Sequence, residues 1–353
     1  MKRLFLSSIL LVTALNGTFA QKTKMAEEGT PYYLPRTAMC FTVKVEKTTY
    51  TPGDFAIYAE KYLKLNGVKT SPETTYRILD IQMRTEGDRD TSKLYVAPTD
   101  AKHSIQTVRL AENGTLLAIN AAPKQIKTPE KFKAAPKPKA LNPRDYMNED
   151  ILSAGSTAKM AELTAVEIYD IRDSRSTLNK GQADFMPKDG EQLRIMLANL
   201  DTHERALMQL FSGVTVKDTA ETVIKIVPAE TLNRSMLFRF SKWAGIINKD
   251  NLAGSPYYIS VEDLKMTPSI QDHYLNMKGV KDNSGIYVNL PGKIKVSLFN
   301  GTKLMSAYEL YAAQFGKTVM LNDAMFGKKF ATNLILNPVT GSADTLESEP
   351  VRK

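Results

Sequence analysis

The chain has 353 residues, 42% of them hydrophobic and 24% charged, with a formal net charge of +9 and one cysteine. Such a composition fits a globular protein of two or three ordinary domains, and one cysteine excludes an intramolecular disulfide, so the fold must rest on its core. The excess of positive charge is local. Without a basic-aromatic recognition motif it argues against nucleic acid and for a polyanionic glycan, a lipid headgroup surface or an acidic protein.

The first twenty residues read as a secretory signal peptide. Met1-Lys2-Arg3 is the basic start, Leu4 to Leu15 an apolar run too short for a permanent membrane anchor, and Thr18-Phe19-Ala20 a peptidase site. Cleavage is expected between Ala20 and Gln21. A bacterial lipoprotein would need cysteine where Gln21 stands, so the mature protein is expected to be exported without a lipid, in the periplasm or at the outer membrane. No later apolar stretch is long enough for a transmembrane span.

Residues 21–30 form a polar lead. Phe41, Val43 and Val45 then alternate with Thr42, Lys44 and Glu46, the period of a half-buried strand. Cys40 reads as a small buried hydrophobe at its start. Thr51-Pro52-Gly53-Asp54 marks a turn, and Phe55, Tyr58, Tyr62 and Leu65 line one face of a short helix stopped by Asn66-Gly67. Two strands are expected at 74–84 and 92–97, around the polar turn Glu86-Gly87-Asp88-Arg89-Asp90. A hairpin follows, its arms 105–110 and 115–119 joined through Asn113-Gly114, a dipeptide suited to positive φ.

Composition changes at Pro123. Between there and Arg144 five prolines alternate with six lysines, which predicts an extended, solvated linker, or a cationic strap lying on an anionic surface. Two helices come next. Met160, Leu163, Val166, Ile168 and Ile171 give the apolar face of the first, expected over 151–178. Asp189-Gly190-Glu191 opens the second, whose face is Leu193, Met196, Leu197, Leu200, Leu207, Leu210 and Phe211, with Gly213 as its stop. The short connection predicts an antiparallel helical hairpin.

From Val214 the pattern is β again. Strands are expected at 214–216, 222–227, 236–240, 257–261, 285–290, 293–299, 302–311, 318–321 and 330–336. Gly254-Ser255-Pro256, Pro291-Gly292 and Asn300-Gly301 read as turns, and 312–316 and 322–327 as short turns or a helical piece. The expected fold class is α+β, with mostly antiparallel, sandwich-like N- and C-terminal regions and a central α-helical hairpin. The expected organisation is a signal peptide at 1–20, a β-rich unit with one short helix at 21–122, the linker or insertion at 123–150, the hairpin at 151–213 and a second β-rich unit at 214–353.

Signals for chemistry are sparse. His103, His203 and His273 lie in separate segments, and none has a second histidine at zinc-ligand spacing. There is no GxSxG elbow, P-loop or GxGxxG, so no catalytic residue, cofactor or metal ligand is assigned. Glu86, Asp88 and Asp90 alternate as weak calcium ligands would, although Arg89 intrudes. A glycosidase carboxylate pair is permitted, but nothing singles one out. In the first helix Glu167, Asp170, Arg172, Asp173 and Arg175 form a charged face whose like charges stand three apart, leaving them to seek partners on the second helix or on another protein. Tyr32-Tyr33, Trp243 and Tyr257-Tyr258 are candidate sugar-stacking aromatics.

Several segments together resemble one known family. They are Tyr33-Leu34-Pro35, Tyr58-Ala59-Glu60-Lys61-Tyr62-Leu63, Glu167-Ile168-Tyr169-Asp170-Ile171-Arg172-Asp173-Ser174-Arg175, Met186-Pro187-Lys188-Asp189-Gly190-Glu191 and Ala313-Gln314-Phe315-Gly316. The family is a group of exported Bacteroidota proteins catalogued as domain-of-unknown-function family 4831. The resemblance covers nearly the whole mature chain and implies a Gram-negative envelope. It brings no catalytic residues. It also implies O-glycosylation at Asp-Ser/Thr motifs, matched here by Thr219 in Asp218-Thr219-Ala220 and Thr345 in Asp344-Thr345-Leu346. The leading expectation is a non-enzymatic binding or scaffolding protein that meets an envelope protein or glycan. A glycan-binding module and a hydrolase with an unassigned carboxylate pair are the alternatives.

Overall fold

The computed structural model describes residues 29–125, 132–134, 136–137, 140–271, 275 and 285–351. The signal peptide with its Ala20/Gln21 cut, and His273, lie outside them.

The architecture is α+β, and the described residues form three antiparallel sheets and one helical hairpin. One long strand, β1 (Gly29–Thr51), is the middle strand of the first sheet. It pairs on one side with β2 (Glu73–Pro98) and on the other with β5 (Val214–Ile226), giving a sheet of order β2-β1-β5. A second sheet has order β10-β9-β8-β6-β7, from β6 (Leu232–Ser241), β7 (Gly245–Ile247), β8 (Ser255–Met266), β9 (Tyr287–Asn300) and β10 (Lys303–Met320). The third has order β12-β11-β4-β3, from β3 (Val108–Leu110), β4 (Leu116–Ile119), β11 (Phe330–Leu336) and β12 (Ala343–Pro350).

Two apolar cores lie along β1. Near its start Tyr32 and Leu34 pack with Leu116, Ile119, Val288 and Leu334 under the third sheet. Further on, Met39, Phe41 and Val43 face Leu237, Ile259, Val296 and Leu298 across a sheet-on-sheet sandwich. Residues of the N- and C-terminal β regions share both cores. A buried polar seam pins the junction. Asn289, fully buried, donates from Nδ2 to the carbonyls of Pro35 and Thr340, both at 2.9 Å, and its Oδ1 accepts from Thr318 Oγ1 at 2.9 Å and Lys93 Nζ at 3.2 Å. Gln314 accepts from Thr37 N at 2.9 Å and donates to the carbonyls of Thr37 and Pro228.

Several expected turns are strand instead, among them 312–316 in β10 and, from Gly254-Ser255-Pro256, the last two residues, which open β8. Glu86–Asp90 continues β2, with Ala38 opposite Glu86 and Arg36 opposite Asp88. Its charge is that of an outward strand face, and the irregularity comes later, between the pairs Pro35–Arg89 and Tyr33–Leu94. Pro291-Gly292 continues β9. There β10 bulges between Ala312 and Lys317, and pairing with β8 begins only at Lys293, so the missing proline N–H costs no ladder bond. Gly292 is required by close approach, because a Cβ there would lie 2.1 Å from the Phe315 carbonyl oxygen. Residues 312–316 belong to β10, and 323–326 form a 3-10 turn. The strands β7 and β12 went unforeseen.

The helices follow the sequence more closely. A 3-10 turn at Ala56–Tyr58 leads into α1 (Ala59–Leu63). The expected first long helix is split into α2 (Glu149–Leu152) and α3 (Thr157–Asn179), because Ser156 caps a new start, its Oγ accepting from Lys159 N. The second, α4 (Gly190–Ser212), is capped by Asp189 and ends at Gly213, at φ +73°. The base of the hairpin buries Ala161, Ala165 and Ile168 against Leu207, Phe211 and Phe55. Expected core residues Val166 and Met196 are exposed.

Candidate functional site

A cleft of about 420 Å³ opens where the sheet end, the hairpin base and the β6–β7 turn meet. Its floor is the end of the β2-β1-β5 sheet. Alternation puts Thr48 and Tyr50 of β1 on one face; Thr75 and Glu73 stand opposite them on β2, and Thr215 lies opposite Tyr50 on β5. Ser212, the last residue of α4, forms one wall, and Gly67, Val68 and Lys69 of the α1–β2 loop another.

Local contacts fix these walls. Tyr50 Oη donates to the Lys69 carbonyl at 2.8 Å, with the Ser212 carbonyl 3.1 Å away as an alternative acceptor. Gly213 lets the helix end reach the sheet. A Cβ there would stand 2.5 Å from the Thr51 carbonyl oxygen, and its φ is one that side chains disfavour. Lys242, in the β6–β7 turn, completes the lining. That turn is held to β2 by the bond from Tyr76 N to the Lys242 carbonyl, 2.7 Å, and by Gly245 against the Tyr76 ring.

The cleft's chemistry is hydrogen bonding with a small excess of positive charge. Thr48, Tyr50, Thr75, Ser212 and Thr215 bring hydroxyls, and Lys69 and Lys242 bring ammonium groups. Among the described lining residues Glu73 is the only carboxylate, and it is paired with Lys69. Trp243, next in the chain to Lys242, is 61% exposed, and Lys242 Nζ lies 4.9 Å from its ring centre.

The same outward face carries a ladder of ion pairs toward the other end of the sheet. Arg77 and Lys217 meet Glu46. Arg84 meets Glu86, and Arg36 and Lys225 meet Asp88, the latter two at 2.9 Å. Glu86 is held below the usual carboxylate range by the Arg84 hydrogen bond, and Asp88 by Lys225 and then Arg36. Their oxygens are thus engaged by cations. No metal-holding group of three or more His, Cys, Asp or Glu occurs among the described residues. Cys40 is 1% exposed, and burial together with Glu86 pushes its thiol up to about 11, so it is inert near neutral pH.

The charged helix face is largely paired within the helical region. Arg172 Nε donates to Glu204 at 2.6 Å, and Arg175 reaches Asp201 at 2.6 Å and Glu204 at 2.8 Å, so both arginines clasp α4. Glu167 accepts from Asn148, the cap of α2. Of the five expected docking residues only Asp170 and Asp173 remain exposed. Spacing alone could not show that the second helix would supply acids opposite these arginines.

The histidines are structural where described. His103 bridges Asp100 and Asp323, and His203 Nε2 lies 2.7 Å from the Tyr146 carbonyl oxygen. Among the candidate sugar-stacking aromatics, Tyr32 is fully buried, its hydroxyl donating to Gly285 O and accepting from Tyr287 N. Tyr257 is buried and stacked on Phe238, while Tyr33 lies under Arg89 and Tyr258 under Arg234. Only Trp243 stands free enough to stack on a ligand. Thr219 and Thr345 are half-buried in β5 and β12, and the aspartate before each is paired with a lysine of the Lys/Pro stretch, Lys137 with Asp218 and Lys124 with Asp344. Lys44 Nζ lies 5.1 Å from the Phe132 ring centre, so described residues of that stretch contact the first sheet at Lys44 and Asp218 and the third at Asp344.

Sequence reasoning found Trp243 but missed the cleft. Its signal is the alternation of hydroxyl and charged residues at Glu46-x-Thr48-x-Tyr50, Glu73-x-Thr75-x-Arg77 and Thr215-x-Lys217-x-Thr219, readable only once the register is known.

Taken together, these features define an α+β protein with a polar cleft at the meeting point of a long-stranded sheet and a helical hairpin. Residues 28–344 match the family Domain of unknown function (DUF4831), and the chain belongs to that family. No curated protein and no solved structure matches it. No helix among the described residues is long and apolar enough to cross a membrane.

Proposed function

We propose that the protein is a non-enzymatic binding protein of the periplasm or outer membrane, and that it engages another envelope component through the cleft. The signal-like first twenty residues support export. The observation that carries the binding reading is the cleft itself, open and lined by hydroxyls and ammonium groups with Glu73 as its one described carboxylate. Hydrolysis by a carboxylate pair would need a second acid facing the first at a separation of roughly 5–10 Å. Described histidines that might act as a base are held in structural bonds.

Site-specific photo-crosslinking in the native cell tests this. A crosslinker at Thr215, in the cleft, should trap a discrete envelope component, and one at Glu349, on the remote β12, should not. Equal adducts at both positions would remove the cleft as the binding site. Clear turnover of glycans, peptides or esters by purified mature protein would overturn the non-enzymatic reading.

A further inference from the structure

Three features of the cleft narrow the ligand. The first is the density of hydroxyls, which both donate and accept. Thr48 and Thr75 stand opposite each other on adjacent strands, roughly 5 Å apart, a spacing that suits alternate hydroxyls of one sugar ring, and Thr215 lies across β1, at least two strand spacings or roughly 10 Å from Thr75, within reach of a neighbouring ring. The second is charge. Lys69 is paired with Glu73, whereas Lys242 has only the indole of Trp243 beside it among the described contacts, so the cleft presents an ammonium group to an incoming anion. The third is Trp243 itself. Lys242 takes one part of the ring, and the 61% exposure leaves the rest as an apolar plate at the rim. The nearby turn does not need the indole for its own packing, since it is anchored by Tyr76 N, the Lys242 carbonyl and Gly245.

We infer that the cleft binds an acidic saccharide. One sugar ring stacks on Trp243, its carboxylate or sulfate pairs with Lys242, and the hydroxyls of the following rings bond first to Thr75 and Thr48 and then to Thr215. A neutral saccharide would leave the ammonium group unpaired, and an acidic peptide would leave the hydroxyl floor and the indole plate unused. The inference rests on the cleft being the binding site and specifies what enters it.

Trp243 is the only tryptophan of the chain, so intrinsic fluorescence reports directly on this rim. The mature protein is titrated with hexagalacturonate, a chondroitin sulfate hexasaccharide, maltohexaose and hexaglutamate. Saturable change is expected with one or both acidic saccharides, at least about tenfold tighter than with maltohexaose or hexaglutamate. Lys242→Glu should weaken the acidic saccharide at least about tenfold while leaving the melting temperature unchanged, as an exposed turn residue permits. Trp243→Ala, followed by calorimetry, should weaken it similarly. Maltohexaose binding equally well would overturn the acidic part, and hexaglutamate binding equally well the saccharide part. Full affinity in a folded Lys242→Glu variant, or no binding of any acidic saccharide, would overturn the whole. If no saccharide binds while the Thr215 crosslinker still traps a component, the ligand class alone is wrong. If both fail, the binding reading falls with it.

Discussion

The two faces of β1 are made by alternate residues of one strand, and they do different work. Met39, Phe41 and Val43 turn inward and are fully buried in the sandwich core. On the other face Lys44, Glu46, Thr48 and Tyr50 stay partly exposed, joined across the sheet by ion pairs and hydroxyls. The inner face decides whether the chain folds, because it removes large apolar area from water. The outer face contributes little to folding and is therefore free to carry recognition. Substitutions on the two faces should differ in size and in kind.

The largest effect should come from Phe41→Ala, which empties a fully buried ring position between the two sheets. A loss of about 3–5 kcal/mol is expected in urea unfolding. Thr48→Val on the outer face should stay within about 0.5 kcal/mol. Equal losses would mean that the polar face is a second core, and the comparison would collapse.

Asn289→Ala comes next. It leaves the buried carbonyls of Pro35 and Thr340 without their donor where all three sheets meet. A loss of about 2–3 kcal/mol is expected, read in the same unfolding experiment. A change below about 0.5 kcal/mol would show that solvent reaches the seam.

The hairpin arginines should give a smaller effect. Replacing both Arg172 and Arg175 by Glu sets four acids together, the two new ones beside Asp201 and Glu204, and the Glu204 side chain is only 13% exposed. The clasp is partly solvated, so the loss should be about 1–2 kcal/mol. Adding Glu204→Arg should recover part of it in a calorimetric melt. No recovery would mean that the arginines act through something other than α4.

How far the sequence speaks depends on how far apart the cooperating residues lie. The helical hairpin was legible because its signals are local: Asp189 caps α4, Gly213 ends it, and the apolar spacing lies within one helix. The turn at Asn113-Gly114 was legible for the same reason, with Gly114 at φ +80°. Pro291-Gly292 misled because a proline breaks a strand only where its N–H would be needed as a donor, which β9 does not need there, and because Gly292 serves close approach to Phe315 rather than a turn. Glu86–Asp90 misled because a run of charge looks like solvent exposure at a turn and at an outward strand face alike. The cleft was illegible because Thr48, Glu73, Ser212 and Lys242 come from four separate stretches, and the register that assembles them is set by the opposite, apolar face.

The smallest effect separates the faces by pH. Asp88 lies between Arg36 and Lys225, and Lys225, then Arg36, holds its carboxyl below the range of an unfolded aspartate, about 3.9. Because the folded pKa is the lower one, the stabilisation is complete above the unfolded value and disappears as pH falls through the folded value. Lys225→Met should therefore lower stability at pH 7 by less than about 1 kcal/mol, the group being partly solvated. At pH 2, below the unfolded value, that difference should be smaller. Val43→Ala on the inner face removes only methyl groups, which carry no proton, so its loss should be the same at both pH values. Urea unfolding of both variants at the two pH values checks this. A Lys225→Met loss that persists unchanged at pH 2 would mean that the lysine stabilises the sheet through its methylene stem rather than its charge. The outer face would then be packed, not merely paired.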